Sequence, residues 1–307
     1  MTLTELRYIV ALAQERHFGK AAERCFVAQP TLSVAIKKLE DRLGVAIFER
    51  GKSGVQVTPV GQRIVEQAQR VLEESHKIED LAHAGKNQLS SPLKLGVIYT
   101  VGPYLLPHII PQLRQLAPEM PLEIEENFTS NLRHRLRDGL LDAIIIALPF
   151  NEPDVLTKPM FDEDFEILLP SGHPLTKRKS IPAEELIKEP LLLLGEGHCF
   201  RDTIFNACPN IASASRDPKG RIRTMADGSS LETLRHMVAS NLGITILPQS
   251  ATGSRLYNDE LVSVRPFANH VPRRTVALAW RASFPRPKAI DLLETCVRQC
   301  NIGSNAA

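Results

Sequence analysis

Residues 29–44 read QPTLSVAIKKLEDRLG, and the spacing of their apolar members decides what the N-terminal part of the chain is. Proline is tolerated in a first helical turn, so Pro30 marks a helix start, and Leu32, Ala35, Ile36, Leu39 and Leu43 supply a buried stripe. The other face offers Gln29, Thr31, Ser33, Val34, Lys37 and Lys38. Short hydroxyl and amide groups near a helix start reach base edges, and lysines a turn later meet phosphates. Upstream, Leu3, Leu6, Ile9, Val10 and Ala13 recur at helical steps, and Gly19 to Cys25 fits a second short helix that buries Ala21 and Ala22. Phe26-Val27-Ala28 then breaks the pattern. Two short helices with a tight connection predict a helix-turn-helix whose second member enters the major groove. Downstream, Val45 to Phe48 and Val55 to Val57 flank Arg50-Gly51-Lys52-Ser53-Gly54, a basic hairpin tip suited to phosphate or minor-groove contact.

Charge distribution points the same way. The 307 residues carry a net charge of +2, but residues 1–63 hold ten basic side chains against six acidic ones, which leaves the remainder slightly negative. A basic end on a near-neutral body is the footprint of a nucleic-acid-binding module, although a solvated charged face is its commoner cause. The length predicts about two domains, and a composition 43% hydrophobic and 23% charged excludes global disorder. No apolar run approaches the roughly 18 residues that span a bilayer. The N-terminus, with Glu5 and Arg7, lacks export-signal architecture, and five scattered cysteines make no disulfide framework. The expected setting is a reducing cytoplasm, with no membrane partner.

The linked motifs FGKAA (18–22), QPTLS (29–33), KLEDRLG (38–44) and IFER (47–50), followed by TPVG (58–61), resemble the N-terminal domain of LysR-type transcriptional regulators. From Thr58 as N-cap and Pro59 as first residue, a helical pattern runs to about Ala84. It carries a seam of Ile64, Ala68, Val71, Ser75, Ile78 and Ala82. At 1.5 Å per residue it spans roughly 40 Å. The seam packs either on its own domain or on a second copy, and the resemblance implies the second copy: a dimer, extending to a tetramer, working on double-stranded DNA with RNA polymerase.

Beyond Pro92, predicted strands (93–99, 122–127, 143–148) alternate with helices (104–116, 131–140). A second series follows at 166–169, 182–187, 191–194, 231–239 and 243–247, and the strand 275–280 and helix 287–299 return to the first lobe. Such alternation predicts parallel sheet with crossovers, and two α/β lobes with a cleft between them. The expected organisation is a winged helix-turn-helix over residues 1–58, a dimerisation helix over 59–86, a hinge over 87–92 and a two-lobed α/β domain over 93–307. That last domain resembles the effector-binding half of LysR-type regulators and periplasmic binding proteins. No phosphate loop, zincin motif or nucleophile elbow is present, so no enzyme, metal or cofactor is expected.

The cysteines carry the remaining chemistry. Cys25 reads as core, and Cys296 and Cys300, four apart on one helix, lack the His or acidic pair of a metal site. Cys199 stands where the strand 191–194 hands over to a helix. The helix N-terminus, His198 and Arg201 would all favour the thiolate, the form that attacks peroxide. If 200–207 is helical, Cys199 and Cys208 lie roughly 13 Å apart. A disulfide needs Cα atoms within about 7 Å, so bonding them must unwind the segment. Spacing alone leaves two readings open, a redox switch and two unrelated buried thiols.

The stretch GHCFRD (197–202), the gap to Cys208 and SSLETLRHMVASNLGITILP (229–248) are similar to the hydrogen-peroxide-sensing branch of the LysR-type regulators. That resemblance implies that Cys199 is oxidised first and Cys208 resolves it. It also implies that Thr100 and Thr129 position the peroxide, that His198 assists proton transfer, and that Arg274 supports the thiolate. On the DNA side it implies Gln29, Pro30, Thr31, Ser33, Val34, Lys37, Arg50 and Lys52. The competing expectations are a regulator that binds a small organic effector in the inter-lobe cleft and, from another class, a thiol peroxidase.

Overall fold

A computed structural model describes residues 1–51, 54–84, 88–214, 230–252, 261–300 and 302. The chain divides into two compact units, Met1–Lys86 with Arg137–Gly139, and Asn87–Leu136 with Leu140–Ala307.

The first unit opens with α1 (Leu3–Glu15), started by a capping box in which Thr2 Oγ1 accepts from the Glu5 amide and the Glu5 carboxylate accepts from the Thr2 amide. Then come α2 (Phe18–Arg24) and α3 (Gln29–Leu43). Ile9, Leu12, Ala21, Leu32 and Leu39 are fully buried at their junction. Leu43, expected in the buried stripe, is 41% exposed, because it is the last residue of α3 and lies past the end of this core.

The hairpin pairs β1 (Phe48–Gly51) with β2 (Gly54–Val57), Phe48 opposite Val57. Its first strand starts later than the expected Val45. The Glu40 carboxylate takes the amides of Ile47 and Phe48 at 2.7 and 3.0 Å and so holds the backbone off a strand partner until Phe48. Lys52 and Ser53 lie outside the described residues. Thr58 caps α4 (Pro59–Ala84): its Oγ1 accepts from the Gly61 amide at 2.8 Å and donates to the Ala46 carbonyl at 2.8 Å. A Cβ at Gly61 would lie 2.1 Å from the Ile47 carbonyl oxygen, so only glycine lets α4 start against this loop.

The second unit begins with β3 (Leu93–Ile98), α5 (Gly102–Leu116), β4 (Leu122–Asn127), α6 (Thr129–Arg137) and β5 (Ala143–Ala147). The long β6 (Val155–Pro170) leads to α7 (Ala183–Leu186), β7 (Leu191–Leu192), α8 (Cys199–Ala207) and α9 (Pro209–Ala214). After these come α10 (Leu231–Ala239), β8 (Ile244–Pro248), α11 (Gln249–Thr252), β9 (Val262–Pro266), β10 (Arg273–Arg281) and α12 (Pro287–Gln299).

The sheet runs β4-β3-β5-β10-β6-β8-β7, with β9 also on β6. It is mixed rather than parallel as the alternation predicted. β3 pairs β4 and β5 in parallel and β7 pairs β8 in parallel, but β10 runs antiparallel to both β5 and β6. The reason is β6: 16 residues long, it pairs β10 in its first part and β8 and β9 in its second, and so passes from one lobe to the other. Each lobe has its own core, one around Leu95, Ile109, Ile145 and Leu293, the other around Phe165, Ile167, Leu234 and Ile246. Among the described residues no helix is long and apolar enough to cross a membrane.

Candidate redox site and nucleic-acid interface

Between β7 and α8 the chain turns at Gly197, whose φ of +93° suits glycine. A Cβ there would already press on the Phe128 ring at 3.3 Å. The turn delivers His198 as N-cap and Cys199 as first residue of α8, where backbone N–H groups lack helical partners. Opposite stand the end of β3 and the start of α6. Together they enclose a cavity lined by Ile98, Thr100, Asn127, Thr129, His198 and Cys199, with Tyr99, Phe128 and Gly197 completing the wall. The space open to centres of water-sized molecules is about 10 Å³, room for about one such molecule.

One polar group at this cavity lacks a partner and a second keeps a proton to give. Thr129 Oγ1 is buried with no hydrogen bond. Thr100, 3% exposed, accepts from Arg274 Nη1 at 2.8 Å through its hydroxyl and from Nη2 at 2.9 Å through its carbonyl. Because the hydroxyl accepts from a cation, its own proton is free to donate elsewhere. A small molecule with two adjacent oxygens meets both needs.

Arg274 does not line the cavity. It stands behind Thr100, paired with Glu163, its directly opposite residue across β10 and β6, at 2.7–2.8 Å and with both side chains buried. Glu163 in turn accepts the Ser250 amide at 2.8 Å. Arg274, one of the expected supports of the Cys199 thiolate, is therefore arranged differently. Arg274 has its charge matched by Glu163 and acts on the site through Thr100. Arg201, also buried, lays its guanidinium 5.4 Å from the Phe205 ring centre.

His198 is buried edge-on against Phe128, with ring centres 4.8 Å apart and Tyr99 at 6.1 Å. Burial lowers its pKa from the ordinary histidine value, so at neutral pH it is an uncharged imidazole. It is a proton acceptor at rest. Tyr99, Phe128 and Glu163 are not marked by the sequence. Tyr99 and Phe128 adjoin the named Thr100 and Thr129, whereas nothing in FDED (161–164) distinguishes Glu163 from a surface carboxylate.

Cys208 is the C-cap of α8, 6% exposed and unbonded. Burial first, and then the Glu184 carboxylate, push its thiol up. The two thiols belong to different cores. Half-buried Cys199 packs against the first-lobe core, and Cys208 is inside the second. Nine helical steps between them make roughly 13 Å. Cys296 is fully buried, its thiol pushed up to about 11 by burial and by Cys300, which donates its S–H to the Cys296 carbonyl at 3.1 Å. Cys25 is half-buried, with its thiol also raised.

In the first unit, α3 presents Gln29, Pro30, Thr31, Val34 and Lys37 to solvent, with Ser33 half-buried beside them. Arg50 lies in β1, with its side chain outside the described residues, as is the whole of Lys52.

Residues 3–62 match the family described as bacterial regulatory helix-turn-helix protein, lysR family, and residues 86–301 match the LysR substrate binding domain. The chain is 40% identical to the DNA-binding transcriptional dual regulator OxyR of Escherichia coli K12, over 97% of this chain and 95% of that one. Among solved structures, full-length OxyR of Pseudomonas aeruginosa with a Cys-to-Asp change is 61% identical, with a TM-score of 0.74, covering 99% of this chain and 96% of that one. A Corynebacterium glutamicum OxyR variant with hydrogen peroxide bound is 31% identical, with a TM-score of 0.63, covering 97% and 92%. A helix-turn-helix at one end, a two-lobed α/β unit at the other and matches along both lengths lead to one assignment: the chain belongs to the LysR family of transcriptional regulators and, within it, to the OxyR proteins.

Proposed function

We propose that the chain is a DNA-binding transcription regulator that senses hydrogen peroxide through Cys199 and answers by forming a Cys199–Cys208 disulfide. One observation carries the reading: Cys199 is the first residue of a helix, on a cavity of about 10 Å³ that holds an unpartnered threonine hydroxyl, while a second thiol closes the same helix. Peroxide enters beside Thr100 and Thr129, which hydrogen-bond its oxygens. Neutral His198 takes the Cys199 thiol proton, and the thiolate sulfur attacks one peroxide oxygen. The O–O bond breaks, the sulfur becomes a sulfenic acid, and the departing oxygen leaves as water with the proton returned by His198. In the second step the Cys208 sulfur displaces the sulfenic oxygen, again as water, and a disulfide forms.

The second step cannot occur in the fold described, with a helix between the thiols and each in a separate core. α8 must open, and a local bistable element then carries the signal to the rest of the unit. Opening also takes Cys208 out of the burial that keeps its thiol protonated, so the resolving sulfur becomes reactive only after Cys199 has been oxidised. The names of the relatives, activator in one case and dual regulator in another, support control of transcription in both directions. Gln29, Pro30, Thr31, Ser33, Val34, Lys37, Arg50 and Lys52 face double-stranded DNA. The working assembly is a dimer or tetramer in the cytoplasm, acting with RNA polymerase.

A cavity of this size argues against a small organic effector at this site, since organic ligand pockets run to roughly 300 Å³ or more. A thiol peroxidase has no use for the helix-turn-helix. The deciding experiment treats one sample with one equivalent of peroxide and reads its disulfides by peptide mass mapping and its DNA footprint. A Cys199–Cys208 bridge with an altered footprint supports the sensor. Fast multiple turnover of peroxide with a thiol reductant would make the chain an enzyme instead.

A further inference from the structure

Phe26 lies in the turn between α2 and α3. It follows the C-cap of α2, and its φ of +54° places it in the left-handed region. The Phe26 amide bonds the Glu23 carbonyl and the Val27 amide reaches back to the Ala22 carbonyl, both at 3.0 Å. This closure commonly puts glycine at the left-handed position, because a Cβ there is sterically costly. Here the position holds a phenylalanine, and that side chain is 96% exposed. No other aromatic residue is exposed among the described residues of the first unit.

Single exposed apolar side chains are ordinary. This one combines a disfavoured backbone conformation, held by the two closing hydrogen bonds, with an almost wholly hydrated ring. Its place in the sequence suggests what offsets them. Only Val27 and Ala28 separate it from Gln29, the first residue of α3, whose exposed face carries Pro30, Thr31, Val34 and Lys37, and Lys20 and Lys38 are exposed as well. Exposed lysines on the two helices that this apolar tip joins complement a duplex, which offers phosphates outside and hydrocarbon within its grooves.

We infer that Phe26 is a DNA contact of this protein, covering hydrocarbon surface of the duplex, either a thymine methyl group or a deoxyribose. The inference rests on the DNA-binding reading above and adds a specificity-determining residue to it. The probe is a duplex selected by the wild-type full chain from a randomised library, and its counterpart made with deoxyuridine in place of thymidine.

Phe26→Ala should lose affinity by about tenfold or more, the worth of burying one large apolar side chain, with the salt dependence unchanged. Lys37→Ala should instead flatten the salt dependence by about one phosphate. Phe26→Gly should show the same loss of affinity while melting at or above the wild-type temperature, because glycine relieves the backbone. If the partner is a thymine methyl, the wild type weakens on the deoxyuridine duplex and Phe26→Ala weakens no further. If it is a sugar, the deficit of Phe26→Ala persists on both. Wild-type affinity in both Phe26 variants, with Lys37→Ala weakened, would overturn the inference and leave the DNA-binding reading standing. If the wild type selects no duplex, that reading falls and the inference falls with it.

Discussion

Peroxide reaches a thiol only where solvent or a cavity does, and Cys199 forms part of a cavity wall while Cys208 is 6% exposed in an apolar core. Cys199→Ser should therefore abolish the peroxide response with the fold intact. Cys208→Ser should still form a sulfenic acid at Cys199 without an intramolecular disulfide, and peptide mapping after brief exposure separates the two. Dominant modification at Cys25, Cys296 or Cys300 would sink the mechanism. Behind the cavity, Glu163→Gln leaves Arg274 as an uncompensated buried charge, with a cost of about 3 kcal/mol read from denaturant unfolding. The same change loosens Thr100, so oxidation of Cys199 by peroxide should slow while its alkylation by iodoacetamide keeps pace. His198 has a depressed pKa in the fold. Its stabilising contribution is present above the unfolded value of about 6.5 and is lost as pH falls through and below it, because only the unfolded chain takes up that proton. Melting curves between pH 7.5 and 5 should show this slope, and His198→Gln should reduce it.

At the scale of elements, α8 must come apart for the signal to pass, so its intrinsic stability should set the second step and not the first. Asn206 is exposed within it, and Asn206→Ala should strengthen the helix by about 0.5 kcal/mol. Disulfide formation should then slow about twofold in quenched-flow mapping, with sulfenic acid formation unchanged; equal slowing of both would mean that α8 does not open between them. How far such elements can be read in the sequence depends on local marks. α3, α4 and α12 carry Pro30, Pro59 and Pro287 in their first turns, where proline is tolerated, and β4 is an uninterrupted strand after Pro121. β6 has no such marks. Pro159 and the run Asp162–Glu163–Asp164 imitate a turn, yet Asp162 accepts the Thr275 hydroxyl at 2.7 Å and Glu163 pairs with Arg274, so the charges are consumed by the neighbouring strand. The antiparallel crossing, and with it the setting of Thr100, depends on that strand–strand pairing, which no local pattern announces. The redox pair itself was legible only because GHCFRD resembles a known branch; from spacing alone Cys199 and Cys208 were two thiols nine residues apart.

For the whole molecule, the question is what covers α4. Val65 and Ala68 are buried in the core of the first unit and Ile64, Val71 and Leu72 are half-buried, so the first half of the helix is used at home. Ile78, on the same seam, is 70% exposed. A helix of 26 residues is about 39 Å long, more than one small domain covers, and an isoleucine facing water in line with a buried seam is what a second copy of the same helix would bury. Pairing through α4 would also bring two reading heads to one DNA site, as half-sites require. Ile78→Asp places a charge where that contact would form, and because Ile78 is exposed within its own chain, the monomer fold should survive. Sedimentation should show the variant at a lower assembly state than the wild type, and its affinity for DNA should fall at protein concentrations where the wild type is paired. An unchanged assembly in Ile78→Asp would move the interface off this helix and leave the second unit to hold the copies together.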